Sequence, residues 1–217
     1  MTDPGRIGLF GGTFDPVHVG HLAVAEAARD RLGLERIVFL PAGAPPHKPA
    51  GARASSADRL AMLRLATSDN ARFVVDPREL QRDGPSFTVE TLSEFAREHP
   101  DAELLWLMGS DSLVELHTWR APQRVCALAT LAVLLRPGWT RDAVEAWRGG
   151  PGRAFAARIV VLDVPGLDVS ARALRAALAS GASVRYLVPE AVRAHISAQR
   201  LYGAGGGGGA GDGSRTG

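Results

Sequence analysis

The chain has 217 residues, 46% hydrophobic and 22% charged with a formal net charge of +2, which fits a single globular domain able to bury a sizeable core. No apolar run approaches the roughly 18 residues of a membrane span, and scattered arginines at so mild a charge argue against a nucleic-acid or membrane partner. Cys126 is the one cysteine, so neither an intrachain disulfide nor a cysteine zinc cluster can form. With no leader-like layout at the N-terminus, a cytoplasmic protein is expected.

The chain opens with an apolar run ending at Phe10 that reads as a buried first strand. Gly11 and Gly12 are expected to break it, since glycine tolerates positive φ and lets backbone approach a ligand. Asp15-Pro16 marks a turn. From Val19 to Leu32 apolar residues recur at helical spacing, with Gly33 as C-cap. The free N–H groups and positive dipole end of this helix point where a phosphate would sit. His18 and His21 are three residues apart at its start, so both imidazoles face one side and offer two N–H donors to a triphosphate. The stretch is neither a Walker loop nor G-x-G-x-x-G.

Gly11-Gly12-Thr13-Phe14-Asp15-Pro16-Val17-His18-Val19-Gly20-His21-Leu22 resembles the signature of nucleotidyltransferases with an H-x-G-H motif. More narrowly, it is similar to that of the bacterial nicotinate mononucleotide adenylyltransferases, and the likeness runs from about Arg6 to Tyr202. The resemblance implies a Rossmann-like α/β fold, a parallel sheet of about six strands with helices on both faces. It also implies phosphate binding at Gly11, Gly12, Thr13 and Phe14, with His18 and His21 as catalytic residues.

Residues 36–40 form a second short strand. Strand, helix and strand within about 35 residues is a βαβ unit, hence a parallel sheet whose ligands bind outside the carboxyl ends of the strands. The proline-rich loop that follows holds His47 and Lys48, the latter the only lysine in the chain. A lone ammonium there suits a mobile phosphate clamp, and in the resembled family this loop contributes to phosphate binding. Ser55 and Ser56 can cap a helix running to about Thr67, with Met62, Leu63 and Ala66 buried and Asp58 and Arg59 forming a solvated start. Residues 72–76 make a third strand.

A polar loop then leads to a helix from about residue 87 to His99. Thr88 reads as its N-cap and His99 as a C-cap. The resemblance places Thr88 against the pyridine carboxylate, with Phe87 standing where the family usually has Tyr and so lacking that hydroxyl. Residues 103–108 form a fully apolar, central strand ending in Gly109-Ser110-Asp111. Asp111 could N-cap the next helix, but in the family Gly-x-Asp binds ribose hydroxyls at the junction of adenosine and pyridine nucleotide. Trp119 offers a flat face for a pyridine ring, worth about 0.5–1.5 kcal/mol beyond area burial, and in the family a Trp here stacks on nicotinate. His117 has no assigned role.

Residues 130–135 give a fifth strand ending at Arg136-Pro137-Gly138, which matches the family pattern. A helix spans about residues 140–147 and a sixth strand residues 158–163. Ser170 N-caps the next helix. The family usually has Ile-Ser-Ser-Thr-x-Ile-Arg here as a second phosphate site. Val169, Ser170, Leu174 and Arg175 fit that pattern, while Ala171 and Arg172 replace two hydroxyl donors. The closing segment 184–196 reads as structural, with His195 at the surface. Residues 1–202 form one domain, and the Gly-rich 203–217 is too poor in apolar residues to fold.

The expected activity is adenylyl transfer from ATP to nicotinate mononucleotide, with Mg²⁺ bridging phosphates mostly through water and no metal ligand from protein side chains. Alternatives are a related adenylyltransferase using nicotinamide mononucleotide or phosphopantetheine, or a non-catalytic nucleotide sensor. The phosphopantetheine enzymes are shorter and typically carry Thr in place of His18. Oligomeric state is open, and a homo-oligomer is compatible with the sequence.

Overall fold

Nearly unbroken apolar runs along most of six short strands generate a sheet buried on both faces. The computed structural model describes residues 5–43, 52–135, 138–164 and 167–203. Among them, β1 (Arg6–Gly12), β2 (Arg36–Pro41), β3 (Phe73–Val75), β4 (Glu103–Gly109), β5 (Thr130–Leu134) and β6 (Ile159–Leu162) form one sheet. Its order is β3-β2-β1-β4-β5-β6, every pairing parallel. The expected six-stranded Rossmann-like sheet is present.

Each strand sends successive side chains to opposite faces. Phe10, Ile37, Phe39, Leu105, Leu107 and Ala132 pack on one side against α1 (Val19–Arg31), α2 (Ser56–Thr67), α7 (Ala171–Ala179) and α8 (Glu190–Ala198). Ile7, Leu9, Val38, Trp106, Met108 and Leu131 pack on the other against α3 (Thr88–Glu98), α4 (Ser110–Val114), α5 (Pro122–Leu128) and α6 (Arg141–Gly149). Helices on both faces explain why the strands read as nearly continuous apolar runs.

The strand order reverses between β1 and β4, the neighbours at the middle of the sheet. In open parallel sheets the crevice at the carboxyl end of such a switch point is where ligands bind. Phe10 is in register with Leu107, so the residues following Gly12 and those following Gly109 leave from the same edge.

Three expectations about local structure are corrected. Gly11 and Gly12 do not break the strand but complete it, and neither has a positive φ. They are glycine for want of space: a Cβ on Gly11 would stand 2.7 Å from the Trp106 ring, and one on Gly12 2.9 Å from the Phe14 ring. The left-handed residue that turns the chain is Phe14, at φ 48°. Arg59 is no solvated helix start but 1% exposed. His195 is not at the surface but half-buried, its Nε2 3.2 Å from Asp58 Oδ1, joining α8 to α2. The seven-residue α5 begins with Pro122 in its first turn, the position where a missing N–H costs nothing.

Candidate active site

The loop between β1 and α1 is shaped by its side chains. Phe14 sinks into the core, 2% exposed, its ring edge-on to Phe10, Phe39 and His21 with centroids 5.6, 5.8 and 5.1 Å away. Any phosphate contact from Phe14 is therefore left to its backbone. His18 takes the extended N-cap position of α1, and its ring lies 3.7 Å from that of His21, the planes 32° apart. The expectation that the two imidazoles share a side holds.

The His18 backbone N–H donates to His21 Nδ1 at 3.3 Å. A neutral ring accepting at Nδ1 carries its proton on Nε2, so His21 presents an N–H there. Gly20 makes room for this pairing, because a Cβ on it would stand 3.0 Å from His18 Nδ1. His18 is 5% exposed and His21 half-buried, so His21 is the more open to a ligand. The first turn of α1 has no acidic residue, leaving the positive end of its dipole unopposed.

A buried polar frame holds the loop from behind. Asp15, 4% exposed, accepts the backbone N–H groups of Arg53 (2.7 Å) and Ala54 (3.1 Å) and the Tyr202 hydroxyl (2.6 Å). The Arg175 guanidinium donates to the Asp15 carbonyl at 2.6 Å and lies 3.8 Å from its carboxylate. Arg59 donates to the carbonyls of Thr13 (2.9 Å) and Ala42 (2.8 Å). Burial, with Asp15 as hydrogen-bond partner, pushes the Tyr202 hydroxyl far above its usual range, and burial lowers the Arg59 guanidinium's pKa. Sequence reasoning read Asp15 as a turn and as part of the motif, took Arg59 for a solvated helix start and gave Tyr202 no role.

Of the other candidates, Asp111 follows the carboxyl end of β4. Asp111 lies exposed in the first turn of α4, whose N-cap is Gly109, so Asp111 does not serve as the cap. Thr88 is the first residue of α3 and not its N-cap; Phe87 holds that place without a side-chain bond. Trp119 is half-buried against the second core cluster. Arg120 beside it lies over the Phe87 ring at 4.7 Å, which brings the Trp119 segment next to the start of α3.

Ser170 caps α7, accepting the Ala173 N–H at 3.2 Å. The segment leading to it passes close to Gly20, with the Leu167 carbonyl oxygen 3.8 Å from where a Cβ would be. Arg175, expected at phosphate, is engaged with Asp15 as described. His47, Lys48, Arg136, Pro137 and residues 204–217 lie outside the described residues. Cys126 is buried, and burial pushes its thiol up.

Residues 9–199 match the family described as cytidylyltransferase-like. The chain is 44% identical to a protein of Thermomicrobium roseum over 91% of both chains, and 45% identical to one of Neisseria meningitidis over 91% of this chain and 98% of that one; both are named probable nicotinate-nucleotide adenylyltransferase. The chain belongs to the nicotinate-nucleotide adenylyltransferase family.

The family's fold extends to distant members. The nicotinic acid mononucleotide adenylyltransferase of Plasmodium falciparum, solved in complex with NaAD, superposes with a TM-score of 0.75 at 15% identity, over 92% of this chain and 98% of that one. Its complex with APC gives 0.72. At that identity the likeness concerns the fold. Among the described residues no group of three His, Cys, Asp or Glu side chains could hold a metal ion, and no helix is long and apolar enough to cross a membrane.

Proposed function

We propose that His18 and His21 are the catalytic residues of an adenylyl transfer from ATP to nicotinate mononucleotide, the reaction of this family. A 5′-phosphate oxygen of the mononucleotide attacks the α-phosphorus of ATP in line. The bond from that phosphorus to the bridging oxygen breaks, pyrophosphate leaves, and nicotinate adenine dinucleotide forms. The observation that carries the assignment is the close pair of His18 and His21 rings, 3.7 Å apart and tilted by 32°, at the start of α1, at the switch point of the sheet.

Phosphoryl-type transfers need little covalent help and depend on positioning and charge neutralisation, of which positioning alone supplies about 7–11 kcal/mol. His21 Nε2–H and the first amides of α1 stabilise charge on the departing pyrophosphate. Gly11, Gly12, Thr13 and the Phe14 backbone line the phosphates, with Ser170, Arg175 and Lys48 as further phosphate contacts. Thr88, Asp111 and Trp119 form the acceptor side. Among the described residues the donor set offers no protein cage for a metal, and Mg²⁺ is assigned to the substrate as the counter-ion of ATP. The protein acts in the cytoplasm, with residues 1–202 as one catalytic domain.

The test is an assay with ATP and a panel of acceptors: nicotinate mononucleotide, nicotinamide mononucleotide and phosphopantetheine. Pyrophosphate release with the first, far above the other two, is expected. Turnover confined to another acceptor, or none with any, refutes the assignment.

A further inference from the structure

Every residue between Gly12 and the start of α1 lies outside a regular strand or helix. That loop nevertheless has to hold His18 and His21 to a fraction of an ångström. Two of its carbonyls are taken by guanidinium groups from elsewhere, Thr13 O by Arg59 and Asp15 O by Arg175. Its one carboxylate is met by two backbone amides from the start of the α2 region and by the hydroxyl of Tyr202.

Tyr202 is remote in sequence, 187 residues from Asp15, and sits in the short helical turn Leu201–Gly203 that follows α8. Its own backbone is left-handed, at φ 60°, a conformation unfavourable for a bulky side chain. A residue held in that state, with its phenol inserted among Asp15, Arg59 and Arg175, is fixed by its surroundings. Replacing the hydroxyl by hydrogen removes a donor from a buried carboxylate that faces two cations, and such networks lose more than one bond when one member goes.

We infer that Tyr202 and Asp15 form a latch by which the turn after α8 sets the position of the catalytic loop. This rests on the proposed roles of His18 and His21. Tyr202 reaches the loop through its hydrogen bond to Asp15, so it is a positioning residue: it governs turnover without contributing to substrate binding. Misplacing a catalytic group by about 1 Å can cost up to about 100-fold in rate.

The experiment is a double-mutant cycle in kcat between Tyr202→Phe and His21→Ala, with thermal unfolding checked for each variant. Y202F should lower kcat about 10-fold while KM for ATP and for the acceptor stay within about twofold. In the H21A background the same change should cost less than about twofold, because the group it positions is gone. An equal loss in both backgrounds, or a rise in both KM values with kcat intact, would overturn the inference.

Should Y202F fail to fold, Asp15→Asn provides a second cycle, because it replaces the charged acceptor of the Tyr202 hydroxyl by a neutral, weaker one and so loosens the latch. Wild-type protein that turns over no acceptor would refute the family activity instead, so the two failures are distinct.

Discussion

The His18 backbone N–H donates to Nδ1 of His21 at 3.3 Å while the two tilted rings lie 3.7 Å apart. One contact thus fixes both the tautomer and the orientation of the more open imidazole. Long-range ¹⁵N–¹H NMR of selectively labelled protein should find the neutral His21 ring protonated at Nε2. Protonation at Nδ1 instead would remove the donor assigned to the leaving pyrophosphate.

Gly11 lacks a side chain because the Trp106 ring fills the space where a Cβ would go. Trp106 is itself 5% exposed and has no room to withdraw. Gly11→Ala should therefore destabilise the protein by about 1–3 kcal/mol through overpacking alone. Chemical denaturation measures the loss, and combining it with Trp106→Leu should recover part of it. If G11A is neutral, the close approach of β1 and the ring is wrong.

Arg59 ties α2 to the loop after β1 and to the carbonyl after β2. Arg59→Met keeps the volume and drops the charge, stranding two carbonyls and weakening the positive field around Asp15. Leaving a buried carbonyl without its partner costs about 1–3 kcal/mol. The unfolding midpoint in urea should fall accordingly, and a shift worth less than about 1 kcal/mol would show that the guanidinium is dispensable.

The strands and the main helices were legible because apolar runs and period-3.6 stripes are local properties of the chain. Six strands, the parallel sheet and the helix after the H-x-G-H stretch all follow from them. What stayed hidden was set by distant partners. Arg59 looks like any arginine in a first helical turn, and only the packing of α2 over the end of β2 buries it. Tyr202 precedes a Gly-rich tail and carries no pattern of its own. The role of Gly11 was misread for a related reason: its need for space comes from a ring on β4, whereas conformational freedom was the only argument the local sequence offered. Thr88 lost the N-cap to Phe87 because the chain enters α3 one residue earlier than hydroxyl preference suggests.

Glu79 supplies a pH-dependent check on the acceptor side. It is buried, accepts a hydrogen bond from Thr91 of α3 at 2.7 Å, and Thr91 in turn accepts one from Arg82 at 2.8 Å. Burial raises its carboxyl above the ordinary carboxylate range. The folded state therefore binds this proton more tightly than the unfolded chain does. The resulting stabilisation is complete below the unfolded value of about 4.3 and fades as pH climbs through the raised folded value. Glu79→Gln should be more stable than wild type at about pH 8 and lose that advantage toward about pH 4. Calorimetry across that range showing a constant difference would contradict the burial cost.

The most direct test of the whole account is steady-state kinetics of His21→Ala with ATP and nicotinate mononucleotide. If the imidazole acts on charge that develops only as pyrophosphate departs, kcat should fall by about 100-fold or more while KM for ATP changes by less than about threefold. A variant in which KM for ATP rises as much as kcat falls, or in which kcat is unchanged, would show that His21 merely helps hold the nucleotide.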